Sequence, residues 1–100
     1  MTEETVQFTG ELFVWGEGNW HFILLPLEAA EDLRDLVTGP PRGFGSIRVG
    51  VQVGDSSWKT SVFPAKESGS FLLPMKKAIR TAEDLEDGDH VDVTLSVQPD

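Results

Sequence analysis

Residues 47–55 read Ile47-Arg48-Val49-Gly50-Val51-Gln52-Val53-Gly54-Asp55, and this stretch decides the fold. Ile47, Val49, Val51 and Val53 point one way while Arg48, Gly50 and Gln52 point the other, the period of two expected of a strand with one buried face. Gly54-Asp55 is a two-residue turn signal, so the next run, Ser57–Phe63, is expected to return antiparallel. Pro64 is expected to close that strand, because proline donates nothing to a ladder.

The same punctuation recurs outward in both directions. Val6, Phe8, Leu12 and Val14 alternate with Gln7, Thr9, Glu11 and Phe13, and Gly10 interrupts the apolar face where a strand curling into a barrel would bend. Gly16-Glu17-Gly18-Asn19 makes a turn, and Trp20–Leu25 returns until Pro26 stops it. Residues 28–37 have helical spacing, with Ala29, Leu33, Leu36 and Val37 on one stripe, and Gly39-Pro40-Pro41 ends the run. Downstream, Ala65–Ser70 is a polar loop and Phe71–Leu73 a short strand. Pro74 suits the first position of a second helix that carries Met75, Ala78 and Ile79 inward and Lys76, Lys77 and Arg80 outward. Asp87-Gly88-Asp89 turns the chain into a last strand that buries Val91, Val93, Leu95 and Val97. The expected architecture is mainly β: one domain over residues 1–100, a small closed or partly open β-barrel of six to seven strands with two short capping helices.

Leu24-Leu25-Pro26 and Leu72-Leu73-Pro74 are spaced by nearly half the chain, and Ala-Glu-Asp-Leu recurs at 30–33 and 82–85. Each copy precedes a glycine-containing turn and a valine-alternating strand. A duplicated strand–helix–strand unit would close a barrel with pseudo-twofold symmetry, and chance reuse of common helix letters is the competing reading.

The 100 residues carry a formal charge of −9 and no cysteine. Disulfides and thiolate chemistry are thereby excluded. The acidic balance argues against a general nucleic-acid or anionic-membrane binder. The opening MTEETVQ is unlike a signal peptide, and no apolar run approaches the ~20 residues that span a bilayer, so a cytoplasmic protein is expected. The charge is segregated. Residues 1–41 hold eight acids and one base, residues 42–80 seven bases and two acids, and residues 81–100 seven acids and no base. Two flanks of −7 therefore surround a centre of +5, which reads either as strands paired by charge or as a basic patch facing an anionic ligand.

Two blocks of sequence carry a resemblance. Trp20-His21-Phe22 with Leu25-Pro26, Arg42-Gly43-Phe44-Gly45-Ser46, Trp58-Lys59-Thr60-Ser61 with Phe63-Pro64, and Leu73-Pro74-Met75-Lys76-Lys77-Ala78-Ile79-Arg80 with Gly88-Asp89 occur in that order. This combination resembles the bacterial domain of unknown function 1905 over about residues 5–98, which implies a small β-barrel and supplies no mechanism. Residues 73–80 followed by 88–93 are also similar to the half-motif of AbrB-like swapped-hairpin transcription factors. That likeness implies a related barrel topology, in which the glycine takes positive φ and the aspartate bonds nearby backbone N–H groups.

The candidate ligand-binding residues are Trp20, His21, Arg42, Phe44, Trp58, Lys59, Lys76, Lys77 and Arg80. Lys76 and Arg80 are four apart on one helical face, where like charges repel unless an anion or Glu83 and Asp84 answer them; local repair by those acids is the favoured reading. Trp15 shares parity with Phe13, opposite to the Val6–Val14 set, so some rings fall outside the core face and line a cleft, a dimer contact or a second core layer. His21 alternates with Trp20 and Phe22 and is expected to point away from the main core. His21 and His90, the only histidines, lack metal-ligand spacing. No serine has a nucleophile-elbow context, and Arg42-Gly43-Phe44-Gly45 lacks the ending of a P-loop. No catalytic residue, metal or cofactor is implied.

The first expectation is therefore a non-catalytic binding module with a basic-aromatic patch for a small anionic molecule or an acidic protein partner. A DNA-binding relative of the swapped-hairpin factors and a small enzyme using His21 or an arginine in a barrel mouth are the alternatives. A true repeat would let one chain close its barrel, which favours a monomer slightly and leaves a dimer open. A deep pocket joining Trp20, His21, Arg42 and Lys59 would favour a ligand; a flat apolar face would favour assembly.

Overall fold

The alternation at residues 47–53 is present in the computed structural model, which describes residues 5–15, 20–37 and 45–97. Val49, Val51 and Val53 are buried and Arg48 and Gln52 exposed. The strand β3 (Ile47–Val53) meets β4 (Ser56–Ala65) across a two-residue turn whose Gly54 takes φ 56°. The other elements are β1 (Thr5–Trp15), β2 (Trp20–Leu24), α1 (Leu27–Leu36), β5 (Ser70–Pro74), α2 (Lys77–Ala82) and β6 (His90–Val97). Six antiparallel strands close into a barrel in the order β1-β2-β5-β4-β3-β6. Exchanging β1, β2 and β3 with β4, β5 and β6 returns the same ring, the arrangement expected of two related halves.

The interior is filled by alternate residues of every strand, including Leu12, Ile23, Val49, Val62, Leu73 and Leu95, each with no exposed surface. Gly10 belongs to this interior face. A Cβ there would collide with Ile23 Cγ2 and stand 3.3 Å from the Leu24 carbonyl oxygen, so the glycine lets β1 and β2 approach. The helix α1 follows β2 and plugs one end with Ala29, Ala30 and Leu33. The helix α2 follows β5 at the other end and inserts Ile79. The Asp87-Gly88-Asp89 turn forms as read: Gly88 has φ 93°, and Asp89 Oδ2 accepts a hydrogen bond from the Glu86 N–H at 2.8 Å.

Several expectations need correction. Pro64 lies within β4 opposite Phe71, beyond Val62, the last residue of β4 paired to β3; past that point one side of β4 has no ladder requiring a donor. Pro74 ends a strand and does not start a helix. The Met75 N–H donates to the His21 carbonyl at 2.8 Å, so pairing continues through Met75 and delays α2 to Lys77. With so late a start, Ala78 faces water while Met75 and Ile79 are buried. Val14 is 38% exposed because β1 extends past the packed interior at this rim. The second Ala-Glu-Asp-Leu is a turn, not a helix: Asp84 takes φ 54°, and the N–H groups of Asp84 and Leu85 bond to the carbonyls of Thr81 and Arg80. The turn at Gly16–Asn19, the stop at Gly39-Pro40-Pro41 and the Arg42-Gly43-Phe44 stretch lie outside the described residues.

Candidate functional site

Antiparallel pairing of Phe22 with Pro74 sets the end of the barrel where β2 begins beside the end where β5 stops, under α2. His21 pairs with Val14, and both share the interior face of Leu12 and Ile23 at the rim. His21 thus turns inward, contrary to expectation, because the parity of its strand is set by Ile23. Arg80 reaches it from α2: Nη1 lies 3.4 Å from His21 Nε2, and Nε donates to the Met75 carbonyl at 3.1 Å. Local repair of Arg80 by Glu83 or Asp84 is not what occurs. Glu83 turns to the β3–β4 turn, where its Oε2 accepts from the Ser56 hydroxyl at 2.7 Å. Arg80 and His21 therefore tie α2 to the rim, and the guanidinium is half-buried in that contact.

The outward face of β1, β2, β5 and β4 is where the rings gather. Phe13 pairs with Phe22 and Trp15 with Trp20. The centroids of Phe13, Trp15 and Phe22 stand 6.2–6.3 Å apart in tilted and edge-on contacts. Leu24 opposite Leu72, and Leu72 opposite Phe63, carry the same face across β5 to β4. Trp15 is 57% exposed, Trp20 68% and Phe63 45%. Aromatic side chains present about 150–250 Å² each, so these three leave on the order of 400 Å² of apolar surface in water, comparable to the largest patch of a typical monomer.

Charge frames this wall unequally. The ladder bond from Met75 to His21 carries the register one step further, so Lys76, in extended conformation, lies alongside Trp20. Lys76 and Lys77 are both exposed at this end. At the opposite end α1 exposes Glu28, Glu31, Asp32 and Asp35, while its single base, Arg34, is turned onto the Gly69 carbonyl and over the Phe71 ring at 5.0 Å.

Trp58 and Lys59 belong elsewhere. They line an open groove of about 360 Å³ on the outer surface of β3, β4 and β6, with Thr5, Gln52, Ser57, Thr94 and Ser96. Gly50 forms its floor, paired with Lys59 on one side and Ser96 on the other. Lys59 is the only charged residue among those lining it. None of Trp20, His21, Lys76, Lys77 or Arg80 borders the groove. Arg42 and Phe44 lie outside the described residues. The seven described candidate residues thus do not converge in one pocket. They divide into a rim contact, a wall edge and a groove. Sequence parity had singled out Trp15 and Phe13, but Phe63, Leu24 and Leu72 join the wall only through strand register. Among the described residues no group of three or more His, Cys, Asp and Glu side chains could hold a metal ion, and no helix is long and apolar enough to cross a membrane.

Comparison with known proteins adds one match. The family model described as "Domain of unknown function (DUF1905)" matches residues 8–95. No curated protein matches the chain.

Proposed function

We propose, from the premise that this chain belongs to the DUF1905 family, that it is a non-catalytic interaction module whose outer wall docks an acidic protein surface. The observation that carries this reading is the exposure of Trp15 and Trp20 on a convex wall with Lys76 at its edge. Large rings held by strands are preorganised anchors that lose little rotamer freedom on binding. Exposed lysines at the rim select an acidic partner and speed its approach. A convex wall encloses no reacting group, and His21 is already engaged by Arg80. Titration with an amphipathic peptide of glutamate and leucine tests the reading by calorimetry. Saturable heat is expected, weakened by salt, by Trp20→Ser and by Lys76→Glu with Lys77→Glu. Equal binding of a lysine and leucine peptide, or no binding of either, would overturn it.

The groove at Gly50 favours a second reading, a small anion held by Lys59 and the surrounding hydroxyl and amide groups. A thermal-shift panel of organic phosphates and carboxylates tests it. A shift that disappears in Lys59→Glu is expected, and no shift with any anion would exclude it.

A further inference from the structure

We infer that the partner docked by the wall is a second copy of this chain turned end for end, so that wall packs on wall in a twofold dimer through β1, β2, β5 and β4 and Lys76 and Lys77 meet the acidic helix α1 of the other copy. The inference rests on the docking reading and adds the identity of the partner. The wall is apolar from Trp15 and Trp20 across Phe13, Phe22 and Leu72 to Phe63, with Lys76 and Lys77 at the α2 end and Glu11, Glu28, Glu31, Asp32 and Asp35 toward the α1 end. A surface with opposite charges at its two ends is complementary to itself once it is turned end for end. A twofold axis lying in the interface plane, perpendicular to the length of the wall, makes that turn, and it sets each copy's lysines against the other copy's α1 acids in two identical contacts. The parallel arrangement would set lysine on lysine and acid on acid.

The area agrees. Leu24 and Leu27, 39% and 58% exposed, extend the rings toward α1. Together with the half-buried Phe13, Phe22, Leu72 and Pro74, the surface approaches the roughly 800 Å² per partner of a standard interface. Each chain closes its own barrel, so the dimer needs no exchanged strands. The rings supply most of the affinity and the charged ends fix the orientation.

Sedimentation velocity over a concentration series tests this on the full chain. A dimer is expected, and Trp20→Ser, which removes the most exposed ring of the wall, should weaken it by about 10-fold or more. One variant carries Lys76→Glu and Lys77→Glu; another carries Glu28→Lys, Glu31→Lys and Asp32→Lys. Each should be monomeric alone, and an equimolar mixture should form a heterodimer, since the reversed charges then match at both ends. All these positions are exposed, and circular dichroism confirms folding. A wild-type chain that stays monomeric, a dimer unaffected by Trp20→Ser, or a mixture that does not assemble would overturn the inference. A monomer that still binds the glutamate and leucine peptide would overturn the dimer alone and leave the docking reading standing.

Discussion

Leu24 and Leu72 face each other across the β2–β5 ladder although 48 positions separate them in the chain. Val49 and Val97, with the same separation, face each other across β3 and β6. The ring of six strands returns to itself when β1, β2 and β3 are exchanged with β4, β5 and β6. Under the same offset Phe22 corresponds to Ser70, and Trp20 to Ser68. Ser70 is buried and donates to the Leu25 carbonyl at 2.6 Å, so the barrel closes with a small polar residue in that place. A ring at position 22 is thus not required for the barrel to close there.

The tight approach of β1 to β2 predicts that Gly10→Ala is destabilising. The added Cβ would overlap Ile23 Cγ2, and the Leu24 backbone leaves little room to relax. Overpacking of this kind costs about 1–3 kcal/mol. Urea denaturation should show a lower midpoint with an unchanged slope.

Asp84 predicts a gain. It ends α2 in the left-handed region, with the Leu85 N–H bonded to the Arg80 carbonyl at 2.8 Å and its own to that of Thr81 at 3.3 Å, the pairing that usually recruits glycine. Asp84→Gly relieves the Cβ penalty at an exposed site and should raise stability by about 0.5–1 kcal/mol, read as an increase in Tm. A decrease would show that the carboxylate makes a contact the turn depends on.

Glu83 and the β3–β4 turn form a unit. Its carboxylate accepts from Ser56 and occupies the space where a Cβ on Gly54 would lie. Ser56→Ala and Glu83→Ala should each cost about 1–2 kcal/mol, and the double variant clearly less than their sum. Additive losses would show that the two groups do not interact in solution.

The groove predicts a separation of binding from stability. Glycine weakens a strand interior, and a side chain at position 50 projects from the same face as Gln52. Gly50→Val should therefore hold or raise Tm, by up to about 1 kcal/mol of added stability, while abolishing any anion-dependent shift. Anion binding that survives the substitution would place the anion outside the groove.

How much of this was legible in the sequence depends on the range of the contact concerned. Period-two alternation at 47–53 and 91–97 and the Gly-Asp turns report local geometry, and both halves of the barrel follow from them. The start of α2 is not legible locally, because the bond that delays it joins Met75 to His21, a partner 54 positions away. The partner of Arg80 is hidden for the same reason: its neighbours along the helix are acids, but its contact is across the rim. The candidate site was legible only as parts. Parity lifts Phe13 and Trp15 off the core face, whereas joining them to Phe63, or joining Lys59 to Thr94 and Ser96, requires the register of four strands at once.

Quenching of Trp15 and Trp20 by acrylamide asks whether the wall is a binding surface at all. Trp58→Phe removes the third indole, which is half-buried against the core, so that all remaining emission comes from the wall. Emission is expected to be readily quenched in dilute protein and to become saturably protected, with a blue shift, on rising chain concentration or on addition of the glutamate and leucine peptide. Quenching that stays unchanged under both conditions would contradict the docking function of the wall.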